Sequence, residues 1–196
     1  MVEKVYLLRH GHIDNGDEKR YLGQTDISLS AQGKEHASAL RDYFKDIPID
    51  AMFTSPLKRC VQTSQIICEA KDITYKVVEA FTEIDMGEWE NVAMSSIKTA
   101  FPKLYAKRGE DLEYFTPPKG ESFHALAKRV RKAFDAIVLN TKGTILIVAH
   151  AGVNRMILSN VLGLAINDMF CIEQPYGCIN ELLWNEQSMQ WDYQKV

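Results

Sequence analysis

The apolar run Val5-Tyr6-Leu7-Leu8 passes directly into Arg9-His10-Gly11, and this junction constrains the fold more than any other stretch. Strand-forming residues without alternation read as a strand buried on both faces, the kind found in parallel sheets covered by helices. The loop at the carboxyl end of such a strand is where open α/β sheets hold their ligands. An arginine and a histidine are costly inside a core and useful to a phosphate.

A second buried strand, Thr144–Ala149, ends the same way, in His150 followed by Gly152. Between the two, strands and helices alternate. Ser30 can cap a helix with Ala37, Leu40 and Phe44 on one face. Residues 51–54 form a short strand, and Ser55-Pro56 reads as a cap and a first-position proline. The helix that follows is expected to turn Leu57, Val61, Ser64, Ile67 and Cys68 inward. Thr74–Val78 suggests another strand. The Ser122–Asn140 stretch carries the clearest helical stripe, with Phe123, Leu126, Ala127, Val130, Phe134, Ile137 and Val138 on one side. A later helix stops at Gly163, and Ile179–Trp184 with Met189–Tyr193 reads as a terminal hairpin.

This order implies an α/β fold, a three-layer α/β/α sandwich with a mostly parallel sheet and helices on both faces. We expect one domain over residues 1–196, with 81–120 inserted over the active-site edge and a short helix near 94–107. If the two histidine-ended strands are neighbours, His10 and His150 meet at one edge.

A formal net charge of -3 argues against a nucleic-acid binder held by bulk electrostatics. No apolar run approaches the ~20 residues that span a bilayer, and Met1–Lys4 leads straight into a strand without a signal-peptide plan. Cytoplasm is the expected compartment, and a homodimer is left open. Cys60 and Cys68 on one helix stand ~12 Å apart, too far to bridge. Cys171 and Cys178 can approach across a turn, but reduced thiols are expected. With no C-x-x-C pair, a structural zinc is not expected.

Taken singly, Arg59 reads as a solvated helix residue and His10 as a satisfied core histidine. His10-x-His12 with Asp14 also matches the start of some zinc hydrolases, although Arg9 is a poor neighbour for a cation. A neutral imidazole at a strand end can instead attack phosphorus.

Five segments taken together decide among these. Leu8-Arg9-His10-Gly11 resembles the Arg-His-Gly signature of the histidine phosphatase superfamily, also called phosphoglycerate-mutase-like. Residues 23–33, Thr54–Thr63, Glu83–Asn91 and Ala149–Gly152 resemble further segments of that family, in its order. The resemblance implies His10 as nucleophile and Arg9, Arg59 and His150 as holders of the phosphoryl oxygens, two guanidiniums and an imidazolium. It implies Glu83 as the proton donor to the leaving oxygen, with Asp85, Glu88 and Glu90 as rivals by residue type alone. No metal and no cofactor is implied.

Family members often carry Glu-Thr after Arg-His-Gly and an Asn three residues beyond. Here those places hold His12, Ile13 and Gly16, so one phosphate contact is either lost or supplied by Asn15. Cys60 stands where alanine is common. Substrate contacts are expected from Asn15, Gly23, Gln24, Tyr105, Lys107 and Arg108. Pro117–Ser122 and Tyr21–Asp26 are similar to the α-ribazole phosphatase branch. This implies a phosphomonoesterase for a small molecule such as α-ribazole 5′-phosphate. Phosphoglycerate mutase-type transfer and a non-catalytic phospho-ligand binder are the alternatives.

Overall fold

Val5 and Leu7 enter one hydrophobic cluster and Tyr6 and Leu8 another, on opposite faces of the same strand. The computed structural model, which describes residues 1–196, therefore explains the lack of alternation: both faces of β1 (Val2–Arg9) are covered. The chain continues through β2 (Arg20–Tyr21), α1 (Ala31–Phe44), β3 (Ala51–Thr54), α2 (Lys58–Cys68) and β4 (Tyr75–Val77). Next come β5 (Val92–Ala93), α3 (Met94–Ala100), α4 (Pro102–Glu110) and α5 (Phe123–Asn140). It closes with β6 (Gly143–Ala149), α6 (Ala151–Leu162), β7 (Ile179–Asn185) and β8 (Gln190–Lys195). Leu40 and Phe44 of α1 with Cys60 and Ile67 of α2 fill the smaller cluster. Phe123, Leu126, Val130 and Phe134 of α5 join Val153, Met156 and Ile157 of α6 in the larger. The sheet thus lies between two helical layers.

Its strand order is β4-β3-β6-β1-β7-β8. The first four strands are parallel, and β7 and β8 form the antiparallel terminal hairpin. β1 and β6 are neighbours in register, with Arg9 opposite Ala149, while Thr54 of β3 stands opposite Val148. The residues after these three strands, His10, His150 and Ser55, therefore emerge side by side. Ser30 and Ser122 cap α1 and α5 through their hydroxyls, and Gly163 ends α6 in the left-handed conformation.

Three details differ from the sequence reading. Leu57, not Ser55, is the N-cap of α2, and its side chain makes no capping bond. The inner face of α2 is Arg59, Cys60, Thr63, Ser64 and Ile67, while Val61 and Cys68 are only half-buried. The helix turns this way because Arg59 finds acceptors inside. The helix expected near 94–107 is two helices, α3 and α4, because Pro102 has no N–H to continue the first. The 81–120 segment contributes Phe81, Ile84, Met86, Trp89, Ile97 and Leu112 to the larger cluster. A two-stranded ribbon, β2 with β5, ties this segment to the long loop after β1.

Candidate active site

His10 is 3% exposed, and its Nδ1 lies 2.8 Å from the Gly11 carbonyl. A carbonyl only accepts, so Nδ1 carries the proton and Nε2 keeps its lone pair, with no hydrogen bond inside the protein. Burial, and then the Arg59 and Arg9 guanidiniums, hold the His10 pKa well below the ordinary histidine value. A neutral, correctly tautomerised imidazole is the form that can act as a nucleophile.

His150 is 1% exposed, its ring centroid 5.2 Å from that of His10. Arg59 Nε donates to its Nδ1 at 3.3 Å, which places the ring proton on Nε2, facing the Ser55 hydroxyl at 2.7 Å. Burial, Arg59 and His10 hold its pKa well below the usual value. The imidazolium expected at this position is therefore a neutral imidazole, and fixed positive charge comes from the two arginines. Arg59 also donates through Nη1 to the Thr25 carbonyl (2.8 Å) and through Nη2 to the Gly23 carbonyl (2.7 Å). Three of its five N–H groups are thus committed and two stay free. Arg9 donates to the Gln174 carbonyl at 2.5 Å, and its guanidinium stacks 3.8 Å from the Tyr176 ring centroid. Cys60 lies 3.5 Å from His150 Nε2, and burial pushes its thiol up, so it stays protonated.

The two depressed histidines give a pH dependence of stability. Below pH 6.5 the unfolded chain takes up protons that the folded chain refuses, so stability falls as pH falls. The slope is at most about 1.4 kcal/mol per pH unit for each ring. Urea midpoints measured from pH 7 to pH 5 should decline, and His150→Gln should flatten the decline. An identical slope in the variant would contradict the assignment.

Glu83 is 7% exposed. Its Oε1 accepts from its neighbour Ile84 N–H and its Oε2 from Gly152 N–H, both at 2.9 Å. Gly152 is in the first turn of α6. The Glu83 carbonyl accepts from Arg129 (3.1 Å) and from Gln24 Nε2 (3.2 Å). Arg129 also binds the Ala80 and Thr82 carbonyls and the Glu121 carboxylate, so one guanidinium fixes the whole approach to the acid. The rivals are engaged elsewhere. Asp85 accepts from Gly87 N–H, Glu88 pairs with exposed Lys119, and Glu90 accepts from residues 23–25.

A Cβ on Gly152 would lie 2.3 Å from Glu83 Oε1. Gly152→Ala is therefore expected to displace the acid and lower turnover of an alkyl phosphate by about 10²-fold. Inorganic phosphate binding should survive, and full turnover in a folded Gly152→Ala variant would remove Glu83 from that position.

Residues 5–195 match the profile of the histidine phosphatase superfamily, branch 1. The chain belongs to this superfamily. Human 6-phosphofructo-2-kinase/fructose-2,6-bisphosphatase 3 is 30% identical over 180 residues, covering 91% of this chain and 33% of that protein. A bifunctional protein of Mycobacterium tuberculosis is 31% identical over 157 residues, covering 79% and 43% respectively. The chain thus spans about a third of the length of the bisphosphatase relatives. The fold is shared with an α-ribazole phosphatase from Shigella flexneri (TM-score 0.87, 23% identity, 98% of this chain and 96% of that one). It is shared equally with a mycobacterial glucosyl-3-phosphoglycerate phosphatase (TM-score 0.85, 21% identity, 98% and 96%).

Four of the positions expected to contact substrate, Gly23, Gln24, Tyr105 and Arg108, have partners within the protein. Gly23 offers no free polar group, since Glu90 takes its N–H and Arg59 its carbonyl. Gln24 is directed at the Glu83 backbone. Asn15 is half-buried with no side-chain hydrogen bond. Tyr105 packs against the larger cluster, and the Arg108 guanidinium lies 5.3 Å from the Tyr21 ring centroid. Neither is hydrogen-bonded to the histidine–arginine cluster. His12 Nδ1 meets the Ser30 hydroxyl at 2.8 Å and Asp14 accepts from Gly16 N–H, so the H-x-H-x-D pattern does not converge.

The sequence reading missed Ser55, Arg129, Gln174 and Tyr176. Ser55 was assigned to a cap, and Arg129 lies beside the apolar stripe of α5, where periodicity gives an angle but no partner. Tyr176, between Pro175 and Gly177, carried the only signal, an aromatic in a turn.

Proposed function

We propose that this histidine phosphatase hydrolyses a small phosphomonoester through a phosphohistidine. The observation that carries the reading is His10 Nε2, an unshared lone pair on a neutral ring flanked by Arg9 and Arg59. Nε2 attacks phosphorus, the ester P–O bond breaks, and Glu83 in its acid form protonates the leaving oxygen. The new N–P bond leaves the ring cationic, and the Gly11 carbonyl stabilises its Nδ1–H. Glu83, now a carboxylate, takes a proton from water as that water attacks phosphorus. The N–P bond breaks, phosphate leaves, and both groups return to their starting forms. Phosphoryl transfer needs chiefly in-line positioning and charge neutralisation, which the guanidiniums supply.

For the substrate we propose α-ribazole 5′-phosphate or a related sugar or nucleotide phosphate, supported by the Pro117–Ser122 and Tyr21–Asp26 resemblances. A sugar bisphosphate is a second reading, favoured by the 30% identity to the fructose-2,6-bisphosphatase relatives over 91% of this chain. Phosphate release from α-ribazole 5′-phosphate, fructose 2,6-bisphosphate, glucosyl-3-phosphoglycerate and 3-phosphoglycerate separates these. The expected result is release from one of the first two at a kcat/KM far above the others. Transfer between hydroxyls of phosphoglycerate without release would point to a mutase, and tight phosphate binding with no turnover to a binder.

A further inference from the structure

Glu90 directs both carboxylate oxygens at one loop. Oε1 accepts from Gly23 N–H (2.9 Å), Thr25 N–H (3.1 Å) and the Thr25 hydroxyl (2.8 Å), and Oε2 accepts from Gln24 N–H (3.1 Å). The opposite side of the loop faces the site. The Gly23 and Thr25 carbonyls accept from Arg59, and Gln24 Nε2 donates to the Glu83 carbonyl. One peptide unit does both: its N–H, from Gln24, points to Glu90 and its C=O, from Gly23, points to Arg59. Carboxylate and guanidinium are thus joined head to tail through a single peptide dipole, an arrangement in which each bond polarises the next. Burial pushes the Glu90 carboxyl up, but the donors from Gly23, Thr25 and Gln24 outweigh it and hold the pKa below the usual value. The group is therefore ionised at neutral pH.

We infer that Glu90 is a positioning residue that sets the Arg59 guanidinium for the phosphoryl group through the Gly23–Thr25 loop. The inference rests on the phosphatase reading above and adds a residue that does not itself touch the substrate. The planar guanidinium has its two free N–H groups aimed by the three that are held. A loop released from Glu90 lets both free groups drift. Positioning matters most for the five-coordinate phosphorus of the transition state and least for ground-state phosphate.

The test is a double-mutant cycle read by anion binding. Orthovanadate, which can adopt the five-coordinate geometry, and inorganic phosphate are titrated calorimetrically into wild type, Glu90→Gln, Arg59→Ala and the double variant, with circular dichroism as the fold control. Glu90→Gln keeps the size of the side chain and one acceptor oxygen, but sets an NH2 against a loop N–H. We expect it to weaken vanadate about 10-fold and phosphate about 3-fold or less. In the Arg59→Ala background the same substitution should change vanadate affinity less than about 2-fold, because coupled residues are non-additive.

Equal losses in both backgrounds, or none in the wild-type background, would overturn the inference while leaving the phosphatase reading intact. Wild type binding neither anion would overturn that reading and the inference with it. Should Glu90→Gln fail to fold, Thr25→Val removes one bond to Oε1. It must then weaken vanadate about 3-fold, and only where Arg59 is present.

Discussion

His10→Ala is expected to reduce turnover of p-nitrophenyl phosphate by about 10⁴-fold or more, the scale seen when a covalent nucleophile is deleted. The loss should fall on kcat and kcat/KM together. Arg9 and Arg59 keep their own partners, the Gln174, Gly23 and Thr25 carbonyls, and none of these bonds passes through the His10 ring. Inorganic phosphate should therefore bind the variant within a few-fold of wild type, since the removed ring is neutral and adds no charge to the anion site. A variant retaining wild-type kcat would mean that the lone pair on Nε2 is not the attacking group.

Glu83→Gln separates the two proton transfers. The phenolate leaving from p-nitrophenyl phosphate needs no proton, so phosphorylation of His10 should proceed at near wild-type rate. Water then lacks its base, so the phosphoenzyme accumulates as a burst of p-nitrophenol followed by a slow steady state. An alkyl phosphate, whose alkoxide must be protonated on departure, should lose about 10²- to 10⁴-fold in the first step itself. The glutamine still presents a carbonyl oxygen to one of the two amides, Ile84 or Gly152, so the fold around α6 is retained. Equal losses on both substrates, without a burst, would show that Glu83 acts on something other than the leaving oxygen.

The parts of the site that lie on regular elements were legible in the chain. Two unbroken apolar strands ending in histidine announced the sheet edge, and the β1–β6 pairing realised the proximity they implied. The Ser30 hydroxyl caps α1 as its position implies, even though it also meets His12 Nδ1 at 2.8 Å. Ser55 shows the limit of such local reasoning. Its position before a proline is a good cap signal, yet a buried imidazole nitrogen 2.7 Å away is the stronger claimant, and α2 starts uncapped. The acidic segment was opaque for a related reason. Glu83, Asp85, Glu88 and Glu90 are chemically similar, and their distinct duties arise only from what 3₁₀ turns and a two-stranded ribbon set beside each one. Neither feature has a periodicity to read.

Tyr105 and Arg108 show what residue type alone leaves out. Both suit a phosphorylated ligand, and α4 also sets Tyr105 against the larger cluster and Arg108 beside the Tyr21 ring.

The account turns on a covalent bond between phosphorus and His10, and acid-sensitive trapping measures it directly. Enzyme mixed with ³²P-labelled p-nitrophenyl phosphate is quenched in alkali within the first turnover, digested and mapped. The expected label lies on the peptide containing His10, survives alkali, is lost in mild acid, and accumulates further in Glu83→Gln. Brisk phosphate release with no label on that peptide, or with an acid-stable label elsewhere, would contradict it.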